Sequence, residues 1–338
     1  METSSKLQQT VENKNVTGKV TLKEAIKLIL KFALVGVIFW LLFRKGLVTA
    51  ESIRKIFASP FLLLFNILLM FLNFFFSTIR WRLLLKCHQV QISFKKAIQY
   101  SFIGQFFNIA LPGAVSGDFV KAVYVSAKFK EKKAAILGSI LFDRVIGVSA
   151  LAIVAAIAAG FSQIVDWGGQ LPRVLLYSIY GLGFCVVFFF SYLLLSHRHD
   201  PILHLFKWLT RKNSKFGALE RLYVGIMHYR HHSSEVARAL GLSLIIHFFI
   251  VTVAFLLANT LSVEPLPFVG LSVIVPIGML ATAIPVLPAG VGTGHAAFYG
   301  LFQLVHSSQG AEVFSWIVFF QVGLGLLGGM VYLRSRLE

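Results

Sequence analysis

Six apolar stretches, each close to the length that crosses a bilayer, constrain this chain more than any other feature. They cover residues 25–43, 60–79, 134–161, 172–196, 239–259 and 312–333. A helix of about 20 apolar residues matches the hydrocarbon thickness. Of the 338 residues, 57% are hydrophobic and only 14% are charged, whereas a water-soluble domain carries about 25% charged residues. The expected fold is an all-α polytopic membrane protein.

Two further apolar segments cannot be plain helices. In residues 281–296, ATAIPVLPAGVGTGHA, Pro285 and Pro288 each remove a backbone donor, and Gly290, Gly292 and Gly294 follow at once. Residues 111–118, LPGAVSGD, share the plan. Leu111 and Pro112 correspond to Leu287 and Pro288, and Val115 corresponds to Val291. Small residues, among them Gly113, Ser116 and Gly117, then lead to a polar side chain, Asp118 in one segment and His295 in the other. Broken backbone at membrane depth must be buried in protein or line a wet cavity. Interrupted apolar segments in matching positions of two halves point to a transporter binding site. Two tight turns outside the membrane are the alternative.

The distribution of charge orients these pieces. Net charge is +18, and Lys and Arg concentrate in cytoplasmic loops. Arg80, Arg82, Lys86, Lys95 and Lys96 precede the first broken segment, and Lys128, Lys130, Lys132 and Lys133 follow it. The second is flanked by residues 260–267 and 306–311, which contain no Lys or Arg. Two re-entrant helical hairpins of opposite orientation follow from this, and with six full spans they form an inverted repeat. The alternative is full crossings at the broken segments, giving 8–10 spans. Both termini then lie in the cytoplasm, and the chain is assigned to the cell (inner) membrane. Residues 1–20 read as a mobile polar tail without the features of a signal peptide. Residues 21–338 read as one transmembrane domain. Within it, 44–58 is a loop of mixed charge. Residues 197–238 form a cytoplasmic loop in which Ile202, Leu205, Phe206 and Leu209 recur at helical spacing, as in helices lying on a membrane surface. Gly325 and Gly329 allow close helix contact in the last span.

Candidate binding residues gather around the breaks. Ser101, Gln105 and Asn108 fall at i, i+4 and i+7 and share one face of a helix predicted over 94–110. Asp118 and Lys121 open the next helix. Asp143 and Arg144 lie about a third of the way into an apolar run, where a charge costs about 3 kcal/mol and faces the protein interior. At each break a new helix begins with free N–H groups and its positive dipole end. Pro112, Gly113 and Gly117 at one tip, and Pro288, Gly290, Gly292 and Gly294 at the other, would let a head group approach the backbone. Lys121 and Arg144 supply charge for a phosphate. Asp118 and Asp143 pair with them or receive a cationic group. His295 is the one titratable side chain at the second tip and a candidate proton carrier. Structural assignments compete with these. Asp118 serves equally as a helix cap, Asp143 and Arg144 as ion-pair partners of other helices, and the polar face of 94–110 as glue between helices. His247 reads as a buried, hydrogen-bonded histidine.

Several function classes drop out. Neither G-x-S-x-G nor H-E-x-x-H occurs, and there is no ATP-binding fingerprint, so the chain does not read as an enzyme and no cofactor is expected. His228, His231 and His232 lack the Cys or nearby carboxylate that would complete a metal set. Cys87 and Cys185 do not form a disulfide framework. The positive charge carries no aromatic-interleaved module, which argues against nucleic acid; anionic lipid head groups fit it better.

Three motifs carry a family resemblance: NIALPGAVSGDFVK at residues 108–121, Asp143–Arg144 followed by Gly147, and LPAGVGTG at 287–294. With them the chain resembles, over residues 28–333, the lysylphosphatidylglycerol synthetase transmembrane region, or flippase-like domain, family. The resemblance implies a role in moving a lipid between leaflets, and a stand-alone member without the aminoacyl-transferase domain of fused relatives. The family often has Glu-x-x-Arg where Asp118 and Lys121 stand, and an acidic residue near the position of His295. The expected function is a lipid transporter acting on a phospholipid or a polyprenyl-phosphate-type lipid. The alternative is a lipid-binding membrane subunit that presents an intermediate to a glycosyl- or aminoacyl-transferase. Either role is compatible with a homo-oligomer or a biosynthetic enzyme partner.

Overall fold

The computed structural model describes residues 36, 40, 43–44, 46–110, 116–164, 169–195, 200–213, 216–262, 264–282 and 290–337. All regular structure among them is helical. The apolar run at 25–43, the tail at 1–20 and the two tips at 111–115 and 283–289 lie wholly or largely outside the described residues.

The first helix whose bounds lie within the described residues, α1, is Ala50–Phe57, where the sequence reads as a loop. A local signal explains it. The Thr49 hydroxyl accepts the Ser52 N–H at 3.1 Å, and the Ser52 hydroxyl accepts the Thr49 N–H at 3.2 Å, a reciprocal cap. Glu51 in the first turn and Arg54 and Lys55 in the last complement the helix dipole.

Helices α2 (Pro60–Cys87), α3 (Phe94–Ala110), α4 (Ser116–Lys128) and α5 (Lys133–Phe161) follow. Next come α6 (Arg173–Leu195) and two short helices, α7 (Pro201–Lys212) and α8 (Gly217–Met227). The chain closes with α9 (Ser233–Leu261), α10 (Phe268–Thr282), α11 (Thr293–Phe302) and α12 (Gly310–Leu337). Five helices among the described residues are long and apolar enough to cross a membrane: α2, α5, α6, α9 and α12. Helix α4, with 13 residues, is about 20 Å long, and α11, with 10, about 15 Å. Neither reaches across a hydrocarbon core of about 30 Å.

The packing is reciprocal between two four-helix groups, α2–α5 and α9–α12. Helix α2 packs along α9. Helix α3 packs on α4 and on α12, the last helix of the other group. Helix α10 packs on α11 and on α5, the last helix of the first group. Glycine permits the closest approaches. A Cβ on Gly117 would overlap the Gly104 carbonyl across the α3–α4 contact. On α12, Gly325 meets Ile109 and Gly328 meets the Phe102 carbonyl of α3.

The largest buried cluster joins α9–α12 and includes Leu257, Leu271, Phe298, Phe314 and Ile317. Another locks α2, α4 and α5 through Trp81, Leu85, Val125 and Ile140. Large apolar side chains also cover the exterior, among them Phe61, Leu64 and Leu68 on α2 and Val174, Phe184 and Phe188 on α6. On helices long and apolar enough to cross a membrane, such a surface fits contact with acyl chains. The molecule is an all-helical polytopic membrane protein.

Helices α7 and α8 fill the long polar connection. Asp200 caps α7 by accepting the Leu203 N–H at 2.9 Å, and it receives the hydroxyls of Tyr192 (2.9 Å) and Tyr223 (2.7 Å). Burial alone would raise its pKa, but these donors and Arg230 outweigh that and hold the carboxyl below its usual range. Ile202, Leu205 and Trp208 leave an exposed apolar stripe on α7.

Candidate functional site

Five charged residues, drawn from three neighbouring helices, converge on one cavity. Asp143 and Arg144 are consecutive on α5, so they point about 100° apart and reach different neighbours. Asp143 turns toward α2. Its Oδ1 accepts the Arg80 Nε–H at 2.7 Å, and its Oδ2 accepts Nη2–H at 2.9 Å. The remaining Nη1 of Arg80 donates to Ser243 Oγ of α9 at 2.7 Å, and that hydroxyl donates to the Ala239 carbonyl at 2.9 Å. Arg80 and Asp143 are both buried. A two-point guanidinium–carboxylate pair of this kind is among the stronger hydrogen-bonded contacts available to a buried charge.

Arg144 turns toward α4. Its Nε donates to Asp118 Oδ2 at 2.7 Å, and Nη2 reaches the same oxygen. Asp118 Oδ1 binds Lys121 Nζ at 2.7 Å. One buried carboxylate therefore serves two cations. The Lys121 ammonium also lies 4.8 Å from the centre of the Trp81 ring. The Arg144 side chain keeps 46% of its surface exposed, against 14% for Lys121.

These residues line a cavity of about 360 Å³. The first group of helices contributes Ser101, Gln105, Asn108, Asp118, Lys121, Asp143 and Arg144, and the second contributes Met279, Thr282, Gly290 and Gln321. Among the described residues, Arg80, Lys121 and Arg144 against Asp118 and Asp143 give the lining a formal charge of 3 − 2 = +1, counting His247 as neutral. Residues 111–115 and 283–289 carry no charged side chain. Ser77, Ser101, Gln105 and Gln321 make no hydrogen bond among the described residues, so their polar groups remain available inside the cavity.

Asn108 has a structural task as well. Its Oδ1 accepts the Gly117 N–H at 2.8 Å, tying the start of α4 back to α3, and the Ser116 hydroxyl donates to the Phe107 carbonyl at 3.1 Å. Gly117 itself sits in the helix contact and does not line the cavity. His247 does line it, and its Nε2 donates to the Gly147 carbonyl of α5 at 2.9 Å. This is the buried, hydrogen-bonded histidine expected from sequence.

At the second break, Gly290 (φ 71°) and Gly292 (φ 90°) adopt left-handed backbone that a side chain would strain. Gly294 lies against the Phe314 ring, where a Cβ would overlap it. His295 faces α12, away from the cavity. Its Nδ1 accepts the Gly292 N–H at 3.3 Å, so the proton sits on Nε2 and is donated to Ser315 Oγ at 3.0 Å. Of the described candidates at this break, Gly290 lines the cavity, and Gly292, Gly294 and His295 do not. Pro112, Gly113 and Pro288 lie outside the described residues.

Arg80 is the residue that sequence reasoning misses. It reads as part of a basic loop, yet α2 continues through it to Cys87. The signal was present: Asn73, Ser77 and Arg80 stand at i, i+4 and i+7, the same spacing as Ser101, Gln105 and Asn108, and all six line the cavity.

A search of the curated proteins and of the solved structures finds no match to this chain. The family model described as the lysylphosphatidylglycerol synthase TM region matches residues 28–327, a span that contains both broken segments and every charged residue of the cavity. The chain therefore belongs to the lysylphosphatidylglycerol synthase transmembrane-region family.

Proposed function

We propose that this protein moves a lipid, or a lipid-linked head group, between the leaflets of the membrane, with the cavity between α2–α5 and α9–α12 as the site that receives the head. One observation carries this reading: among the described residues, five charged side chains and four polar ones without a hydrogen bond surround an open volume inside a largely apolar bundle. Charge at hydrocarbon depth is costly and marks substrate pathways. The reciprocal packing, α3 on α12 and α10 on α5, supports an inverted repeat whose halves meet at this cavity. The short helices α4 and α11 support re-entrant hairpins, with both termini and the α7–α8 connection in the cytoplasm of the cell membrane and residues 21–338 as one domain. The family, described by a synthase region, favours a second reading, in which the chain holds a lipid for a transferase.

The test is reconstitution into vesicles with a panel of labelled lipids, scoring the loss of leaflet asymmetry. Faster exchange than in protein-free vesicles is expected for at least one lipid, and Lys121→Ala or Arg144→Ala should slow it at least tenfold in protein that still folds. Exchange no faster than in protein-free vesicles for every lipid, with binding retained, would favour the second reading.

A further inference from the structure

We infer that α7 docks on the membrane surface through Ile202, Leu205 and Trp208 and selects anionic lipid head groups with Lys207, Arg211 and Lys212, at a place apart from the cavity.

The level of α7 is set by Asp200, the residue just before it. Its carboxylate accepts the hydroxyl of Tyr192 on α6 and that of Tyr223 on α8. Tyr192 lies three residues before Leu195, the last described residue of α6, and three residues of helix span about 4.5 Å. So α7 starts level with the last turn of a helix long and apolar enough to cross a membrane. Leu194 and Leu195 in that turn are exposed apolar side chains. The lipid-facing surface of α6 therefore continues to the start of α7.

The faces of α7 have three different surroundings. Phe206 turns inward, with its ring 5.3 Å from that of Tyr223, and Leu203 and Leu209 are half-buried as well. His204, Lys207 and Arg211, at i, i+3 and i+7, form an exposed polar face. Ile202, Leu205 and Trp208, at i, i+3 and i+6, are 40%, 53% and 57% exposed. The sequence pattern groups Ile202 and Leu205 with Phe206 and Leu209. Packing on α8 divides that group and brings Trp208 into the outer stripe. A helix with one packed, one polar and one exposed apolar face fits the boundary where protein, water and hydrocarbon meet. Tryptophan is the side chain most at home at that level.

The charge of α7 chooses among lipids. Lys207, Arg211 and Lys212 are exposed, and residues 201–212 include no acidic side chain. Asp200 is buried beneath its donors. The Lys212 ammonium lies 5.4 Å from the centre of the Trp208 ring, which holds a cation at the edge of the apolar stripe. Cations held at that height are drawn to an anionic leaflet, whereas zwitterionic head groups offer no net charge to match them. A second copy of the chain would cover the same stripe with protein, and the experiment separates that outcome from lipid.

The full chain, with exposed Cys185→Ser and buried Cys87 retained, receives a nitroxide at Leu205→Cys or at His204→Cys. It is placed in nanodiscs of phosphatidylcholine alone, or of equal parts phosphatidylcholine and phosphatidylglycerol. Collisions with oxygen, which partitions into hydrocarbon, are compared with collisions with a water-soluble nickel chelate. In the mixed nanodiscs the oxygen-to-nickel ratio at position 205 should exceed that at 204 at least threefold. It should fall at least threefold in phosphatidylcholine alone, and equally with Lys207→Gln, Arg211→Gln and Lys212→Gln combined. Lys207→Arg with Lys212→Arg should keep it. A label at 205 that favours nickel in both nanodiscs overturns the docking. A label at 205 shielded from both reagents also overturns it, since protein then covers the stripe. Equal ratios at 204 and 205 overturn the division of faces. A ratio at 205 that ignores lipid composition, or the three glutamines, overturns the selection of anionic head groups.

Discussion

Arg80 and Asp143 stand on adjacent helices and meet through two hydrogen bonds, of 2.7 and 2.9 Å, in the wall of the cavity. Both side chains are nearly sealed from solvent, 9% and 11% exposed. A third bond carries the arginine on to Ser243, so one guanidinium ties α2, α5 and α9 together at the centre of the bundle.

Removing one member strands the other. Asp143→Asn leaves the Arg80 charge buried without a counter-ion, which costs about 3–5 kcal/mol. The double change Arg80→Met with Asp143→Leu removes both charges and should recover most of that loss. Melting of the detergent-solubilised protein measures both. A double variant no more stable than the single one would show that the pair is not coupled.

The α3–α4 hairpin depends on two facing glycines. A methyl group at Gly117 would collide with the Gly104 carbonyl and with Asn108, which caps α4. Gly117→Ala should destabilise by about 1–3 kcal/mol. Gly181→Ala on α6, where a methyl would meet nothing within 4 Å, should stay within about 0.5 kcal/mol. Unfolding midpoints of the two variants against the parent decide the matter, and equal midpoints would reject the close approach.

His88, just past the end of α2, predicts a pH dependence. Burial pushes its pKa down to about 4, with help from His228, His232 and Lys132. Its ring stacks on His228 at 4.8 Å, its edge meets Tyr229, and its Nε2 is buried without a hydrogen-bond partner among the described residues. The folded state therefore binds fewer protons than the unfolded chain, where the value is 6.5. Stability from this group is complete above pH 6.5 and declines as pH falls toward 4. Melting temperature followed across that range should fall less steeply for His88→Gln than for the parent. Parallel curves would remove His88 as the cause.

Elements defined by local chemistry were legible in advance. The apolar runs have lengths that only membrane helices use, and α3 begins and ends where its composition changes. The short helices flanking each break follow from proline and glycine, whose limits act within a few residues. Helix α1 escaped notice because its signal is a reciprocal cap of two hydroxyl residues, weaker than the mixed charge around it. The candidate site divided along the same line. Ser101, Gln105 and Asn108 announce a common face by spacing alone. His295 and Gly294 carry the right chemistry beside the second break, but the break turns them onto α12, where Ser315 and Phe314 occupy them.

The amino-acid order alone settled that the chain is helical, that it lives in a membrane, and that two of its segments are interrupted, because each of these depends on hydrophobicity and backbone freedom over at most a few turns. Only the packed bundle decided that Arg80 belongs with Asp143, and Asp118 with both Lys121 and Arg144. Those partners lie up to 63 positions apart, and charge pairing at such separations is set by which helix faces meet, a property no local stretch encodes.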